Sequence, residues 1–240
     1  MKLSVVIPCF NEEAYIPALL EEFKQLGFSD STNYELVLVD NGSTDKSAEI
    51  LKRAKDQYPF LKVVTVSRNI GYGDGIVQGL KQAEGEYLSW MSADMLTSPG
   101  EIPKIYSQVS RKKNAEKILA KGYRKHRPAI ELVFTWGMNL FESLYFKRAM
   151  SDINGHPVVF HRSFMELWKN PPTDFALDLY VYVIALQNGY HVMRYPVRQH
   201  PRTWGESSWN KGFSSRLRLS MNLIKSSIKV KKGIRSDYGK

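Results

Sequence analysis

The segment YELVLVDNGSTD, residues 34–45, runs apolar from Leu36 to Val39 and stops at a carboxylate, Asp40, before a Gly-Ser-Thr turn. So short and unbroken a Leu/Val run suits a strand covered on both faces, as inside a parallel sheet. Three more runs share this character: LSVVIP (3–8), LKVVTVS (61–67) and GEYLSWM (85–91). Helical spacing fills the intervals between them. Ile16, Leu19, Leu20, Phe23 and Leu26 form one stripe, and Ile76, Val77, Leu80 and Ala83 form another. Between these lie Ala48, Leu51 and Ala54, behind the expected caps Ser43 and Thr44. Strands alternating with helices through right-handed crossovers predict an α/β fold. Its sheet is mostly parallel, doubly wound and Rossmann-like, flanked by helices. Ligands of such sheets bind outside the carboxyl ends of the strands.

Four strand ends then share one edge: PCFNEE (8–13), DNGSTD (40–45), SRNIGYGDG (67–75) and MSADM (91–95). Asp40 can accept hydrogen bonds from a nucleoside, or it can shape a turn and help cap a helix. Gly71, Gly73, Gly75 and Gly79 permit close backbone approach and an anion at a helix N-terminus. They follow the third strand, which is not the dinucleotide fingerprint, and the phosphate-loop pattern GxxxxGK[ST] is absent. Asp94 is a hard oxygen ligand suited to Mg²⁺ or Mn²⁺, or else a cap for the helix expected after TSPGEIP. Each strand end alone reads as a turn; the four together point to a phosphorylated ligand.

Charge agrees with that reading. Lys and Arg number 34 against 24 Asp and Glu, a net +10 that favours an anionic partner. The single cysteine, Cys9, excludes an internal disulfide and fits a reducing, cytoplasmic compartment. MKLSVVIP reaches Pro8 and polar residues too soon for a signal peptide. No apolar run approaches the ~18 residues of a membrane span. The stretch 130–146 carries Glu131, Asn139 and Glu142 and reads as a buried helix. The basic run SRKKNAEKILAKGYRKHRP (110–128) suits a phosphate-acceptor loop, since no nucleic-acid-binding motif accompanies it. HPVVFHR reads as a strand, 174–188 as a helix and YHVMRYPV (190–197) as a strand. The expected division is a domain over 1–212 and a basic amphipathic appendage over 213–240. The appendage stripe, Phe213, Leu217, Met221, Ile224 and Ile228, either packs on the core or lies on an anionic membrane.

As a set, VVIPCFNEE, LVDNGSTD, RNIGYGDGIVQGL and SADMLTSP resemble the family 2 glycosyltransferases of GT-A fold. Within that family the chain is most similar to polyprenyl-phosphate sugar synthases, of the dolichol-phosphate mannose synthase kind. DINGHPVVFHRSF (152–164), DLYVYVIALQNGYHVMRYPV (178–197) and RTWGES (202–207) extend the likeness over roughly residues 3–210.

The resemblance implies a nucleoside-diphosphate sugar donor, with GDP-mannose, UDP-glucose and UDP-N-acetylglucosamine all open. It assigns the nucleoside to Pro8, Phe10, Glu12, Asp40 and Ala93, and the metal, Mg²⁺ or Mn²⁺, to Asp94. Lys121, Arg124, Arg127, Thr135 and Arg202 would hold the acceptor phosphate or close over the diphosphate. Three positions depart from the pattern. Ser92 stands where the first carboxylate of Asp-x-Asp belongs, and a neutral hydroxyl is the weaker ligand. Asn41 replaces an Asp, and Glu131 stands where an arginine is common.

A polyprenyl-phosphate acceptor is ionised near neutrality and needs no base. A sugar-hydroxyl acceptor needs one, and Asp178 is the candidate. His200 is a further candidate ligand. A non-catalytic nucleotide-binding protein is the reading from another class. The resemblance also implies peripheral association with the cytoplasmic face of a membrane.

Overall fold

Seven strands build one sheet: β1 (Leu3–Cys9), β2 (Tyr34–Asp40), β3 (Leu61–Thr65), β4 (Tyr87–Trp90), β5 (Ile118–Lys125), β6 (Val158–His161) and β7 (His191–Arg198). The computed structural model describes residues 2–125, 129–198 and 213–239, with side chains for 2–124, 135–198 and 221–239. The strand order is β3-β2-β1-β4-β6-β5-β7. Pairing is parallel from β3 through β4, antiparallel on both sides of β6, and parallel again between β5 and β7. The sheet is thus mostly parallel and doubly wound, as its apolar runs predict.

Helices cover both faces: α1 (Ile16–Phe23), α2 (Ser47–Ala54), α3 (Tyr72–Gln82), α4 (Glu101–Ser110), α5 (Ala129–Phe146), α6 (Leu177–Gln187) and α7 (Phe213–Tyr238). Alternation along β1 sends Val5 and Ile7 toward Ile16, Leu19 and Ile105 of α1 and α4. Val6, with Val37 and Val39 of β2, faces Ile76, Leu80 and Val181 of α3 and α6. This two-sided burial is why Val5–Ile7 of β1 and Leu36–Val39 of β2 are unbroken apolar runs. Among the described residues no helix is long and apolar enough to cross a membrane.

Four local expectations need correction, the first being that the helix over 130–146 is buried: it exposes Trp136, Leu140 and Leu144. The basic run is not a loop: residues 118–125 form β5, an interior strand between β6 and β7. Ser43 and Thr44 do not cap α2, which starts at Ser47 and takes a bond from the Ser47 N–H to Asp45 Oδ1 (2.9 Å). The predicted α7 stripe is not the packed one either. Met221 and Ile228 are exposed, whereas Ser227, Val230 and Ile234 are buried against the domain.

The α5–α7 contact holds a carboxyl group in an apolar setting. Glu142 of α5 is buried; the Ser227 hydroxyl donates to one carboxylate oxygen, and the other has no partner among the described residues. Burial pushes its pKa from 4.5 up to about 7, against the opposing pull of the Ser227 bond. A folded pKa above the unfolded one means that the folded state binds the proton more tightly. Glu142 therefore costs nothing below pH 4.5 and destabilises progressively as pH rises through 7. Glu142→Gln keeps the Ser227 bond and removes the charge. It should add about 3 kcal/mol of stability at pH 8 and almost none at pH 4.5, read by urea unfolding at both.

Candidate active site

The loops after β1 and β2 interlock at the sheet edge. Asn11 sits at φ 57°. Its N–H donates to Ser43 Oγ (3.2 Å), and its Oδ1 accepts from the Thr44 N–H (2.8 Å). The Glu12 N–H donates to Ser47 Oγ (2.9 Å), and Glu13 Oε2 accepts from the Lys46 N–H (2.9 Å). Asp40 is buried at the end of β2, and its Oδ1 accepts from the Ser43 N–H (2.9 Å). Asp40 thus shapes the turn the sequence offered as an alternative, and does so at the mouth where a nucleoside would sit. Pro8 is buried beneath this mouth, and the Phe10 ring is exposed above it. Cys9 is buried here too. Burial, then the charges of Glu12, Asp40 and Asp45, push its thiol far up, so it is inert and marks an acidic mouth.

The glycines serve protein packing. Asn41 Nδ2 donates to the Gly71 carbonyl (3.0 Å). Gly71 has φ 143°, and a Cβ there would lie 2.2 Å from the Thr173 carbonyl oxygen. The Asp74 N–H at the start of α3 donates to that oxygen (2.9 Å). Close approach is therefore used by residues 172–174, and the anion expected at this helix terminus finds a backbone carbonyl in its place.

Asp94 lines an open cleft with Ser92, Thr97, Arg124, Asn154 and His156. It is not a helix cap: α4 begins at Glu101 behind Gly100. Asp94 Oδ1 accepts from the Leu96 N–H (3.3 Å), closing a turn beside Met95 at φ 51°. Ala93 is buried between Asp94 and Ser92.

Below the cleft lies a chain of charged and polar groups. Lys121 of β5 is fully buried, and its Nζ is 3.2 Å from Asp178 Oδ1 of α6. Asp178 Oδ2 is 3.6 Å from His156 Nε2, which is 3.4 Å from the Tyr72 hydroxyl. Tyr72 bonds in turn to Ser92. Burial pushes the Lys121 pKa down against the attraction of Asp178. Burial also lowers His156, with Asp178 opposing and Lys121 and Arg124 assisting. Tyr72 is raised by burial and by the charge of Asp178.

Arg124 binds Asp152 Oδ1 through Nη2 (2.5 Å) and Oδ2 through its own N–H (3.0 Å). Burial alone would raise Asp152, but the bonds and charge of Arg124 outweigh it, and the carboxyl is held below its ordinary value. Asp152 orients Arg124 at the cleft wall, and Arg124 Nε has no hydrogen-bond partner among the described residues.

Of the sequence candidates, Ser92, Asp94 and Arg124 meet in the cleft, and Pro8, Phe10, Glu12 and Asp40 meet at the neighbouring strand ends. Lys121 and Asp178 lie together beneath. Thr135 is half-buried on α5. Arg127, His200, Arg202 and the Glu131 side chain lie outside the described residues. Sequence reasoning missed Tyr72, Asp152 and His156. Their only signals are an aromatic inside the glycine run and the DINGHP segment.

Among the described residues no three His, Cys, Asp or Glu side chains gather to hold a metal. Asp94 and the Ser92 hydroxyl line one cleft, a set of hard oxygen donors that fits a Mg²⁺ or Mn²⁺ ligated mostly by water and phosphate.

In an α/β sheet of this kind the carboxyl edge, where these donors lie, is where ligands bind. Residues 4–167 match the family model described as Glycosyl transferase family 2, and the chain belongs to that family. An undecaprenyl-phosphate 4-deoxy-4-formamido-L-arabinose transferase of Photorhabdus laumondii is 37% identical over 154 residues, covering 64% of this chain and 42% of the relative. The protein of the same description from Serratia proteamaculans is 40% identical over 106 residues, 43% of this chain and 32% of the relative. The chain thus spans less than half the length of these relatives. Glucosyl-3-phosphoglycerate synthase from Mycobacterium tuberculosis, solved with Mn²⁺, UDP and glucosyl-3-phosphoglycerate, superposes with a TM-score of 0.70 at 18% identity, over 95% of this chain and 79% of that one. A Pyrobaculum calidifontis mannosyltransferase, solved with GDP-Man and Mn²⁺, gives 0.68 at 19%, over 96% and 64%. The fold is GT-A.

Proposed function

We propose that the chain moves a sugar from a nucleoside-diphosphate sugar to the phosphate of a polyprenyl carrier, with inversion at the anomeric carbon. One observation carries this reading: Arg124 shares a cleft with Asp94, whereas the candidate base, Asp178, is buried and ion-paired below it. A phosphate acceptor matches a cleft wall that offers the Arg124 guanidinium, with Asp178 withdrawn behind Lys121 and His156. The names of the relatives from Photorhabdus and Serratia point to the same acceptor class.

In the reaction an acceptor phosphate oxygen attacks the anomeric carbon. The bond from that carbon to the donor diphosphate breaks, and the nucleoside diphosphate leaves with the electron pair. The acceptor is already ionised, so no proton has to be moved. Catalysis then consists of positioning and charge stabilisation. Arg124, oriented by Asp152, grips the acceptor phosphate with a planar fork of donors. Lys121 acts through Asp178, which aligns His156 at the cleft wall. Phe10 and Asp40 hold the nucleoside, with Glu12, Pro8 and Ala93 shaping its mouth. Asp94, aided by Ser92, would hold Mg²⁺ or Mn²⁺, which when bound neutralises charge on the departing diphosphate. Arg127, Thr135 and Arg202 are assigned to the acceptor side with Arg124. We assign the chain to the cytoplasmic face of the membrane as a peripheral protein, in keeping with its net charge of +10.

The test is a choice of acceptor. Labelled sugar should pass to undecaprenyl phosphate and not to undecaprenol, over a panel of GDP- and UDP-sugars. Comparable transfer to the free alcohol would overturn the phosphate reading and restore a base-assisted one. Nucleotide binding without turnover of any donor would favour a non-catalytic protein.

A further inference from the structure

Helix α7 has two faces that do different work. The inner face docks on the domain. Val230 and Ile234 are buried, Ser227 meets Glu142 of α5, and the Tyr238 hydroxyl is 2.9 Å from that of Tyr180. The outer face carries Met221 and Ile228, 49% and 39% exposed, one heptad apart. Lys225, Lys229 and Lys232 are exposed around them. Residues 213–236 contain seven Lys and Arg and no Asp or Glu. The neighbouring helix α5 exposes Trp136, Leu140 and Leu144 at 67%, 45% and 70%, spaced four apart and so along one stripe.

A helix already anchored by its inner face has no structural need for a second apolar stripe. Large exposed apolar side chains edged by lysine are the pattern of a helix lying in a bilayer interface, with lysine stems reaching toward anionic head groups. The charge selects the partner, since a basic helix whose one acid, Asp237, bonds Asn170 of the domain complements an anionic lipid surface.

We propose that the outer faces of α5 and α7 dock on an anionic lipid bilayer. The apolar side chains of both helices enter the interface, and the lysines of α7 meet the head groups. β5, which carries Arg124, ends at Lys125, and α5 starts at Ala129, so docking through α5 holds the acceptor side of the cleft close to the lipid surface. The inference rests on the lipid-acceptor reading for its biological sense and on exposure and charge for its geometry.

The experiment is co-sedimentation of the full chain with phosphatidylcholine vesicles, with and without phosphatidylglycerol. Binding should require phosphatidylglycerol and weaken with salt. Met221→Asp with Ile228→Asp should lower the partition coefficient about tenfold or more, as should Lys225→Glu with Lys229→Glu and Lys232→Glu. Far-UV circular dichroism and transfer to a water-soluble short-chain prenyl phosphate should stay at the parent level in both variants. Three results would each overturn the proposal: no binding to anionic vesicles, binding unchanged by these substitutions, or a homodimer in sedimentation velocity that the apolar pair dissolves. A parent chain that binds vesicles but uses no prenyl phosphate would sink the acceptor reading and leave the docking surface standing.

Discussion

Asp94→Ala will lower sugar transfer by about 10²–10³-fold, the usual cost of removing one preorganised charge-stabilising group. Asp94 is the carboxylate that faces the cleft beside Ser92, and the neutral hydroxyl cannot replace its charge. The fold should tolerate the change. Asp94 is half-exposed, and the hydrogen bond it gives up, from the Leu96 N–H at 3.3 Å, closes a local turn worth about 1 kcal/mol. Initial rates with labelled donor at saturating Mg²⁺ or Mn²⁺, beside thermal unfolding of the same samples, separate the two effects. A variant that transfers sugar at the parent rate would remove Asp94 from the reaction.

Lys121→Met will destabilise the folded chain by about 3–5 kcal/mol, because it leaves the Asp178 carboxylate buried without its cation. The pair spans 3.2 Å with both side chains out of water, so neither charge can be rescued by solvent. Lys121→Met combined with Asp178→Asn leaves no charge behind and should recover most of the loss. Urea unfolding of the two single variants and the double variant gives the coupling energy. Near-additive losses would show that the two groups do not sustain one another. Asp178→Asn alone carries the same structural penalty in reverse, so its rates have meaning only when normalised to folded protein.

The first half of the fold was legible because its signals are local. Apolar runs ending at Asp40 and Trp90, with stripes such as Ile76–Val77–Leu80 between them, need only neighbouring residues to be read. The second half was harder. Residues 118–125 carry Lys121, Arg124 and Lys125, and a basic stretch reads as solvated. It is an interior strand because Lys121 finds Asp178 and Arg124 finds Asp152, partners 57 and 28 residues further along. Helix α7 was legible as one apolar stripe, that of Met221 and Ile228, and nothing in its own sequence says whether that stripe packs on the domain. Docking chose another, with Val230 and Ile234, against the domain and α5, and left Met221 and Ile228 outside. Gly71 and Gly73 are places of close approach, but the approaching group is residues 172–174, a hundred positions away, and not an anion; Gly75 and Gly79 instead meet side chains of β1 and of the β2 end.

The sequence by itself determined the parallel core, the four strand ends on one edge and the carboxylates Asp40 and Asp94 at two of them. Periodicity and strand-end chemistry are properties of short segments. Only the tertiary structure decided that Asp94 shares a cleft with Arg124, that Asp178 is tied to Lys121, and that His156 and Tyr72 link Asp178 to Ser92. Those relations depend on which side chains burial brings together. A buried charge is tolerable only where the fold delivers its partner.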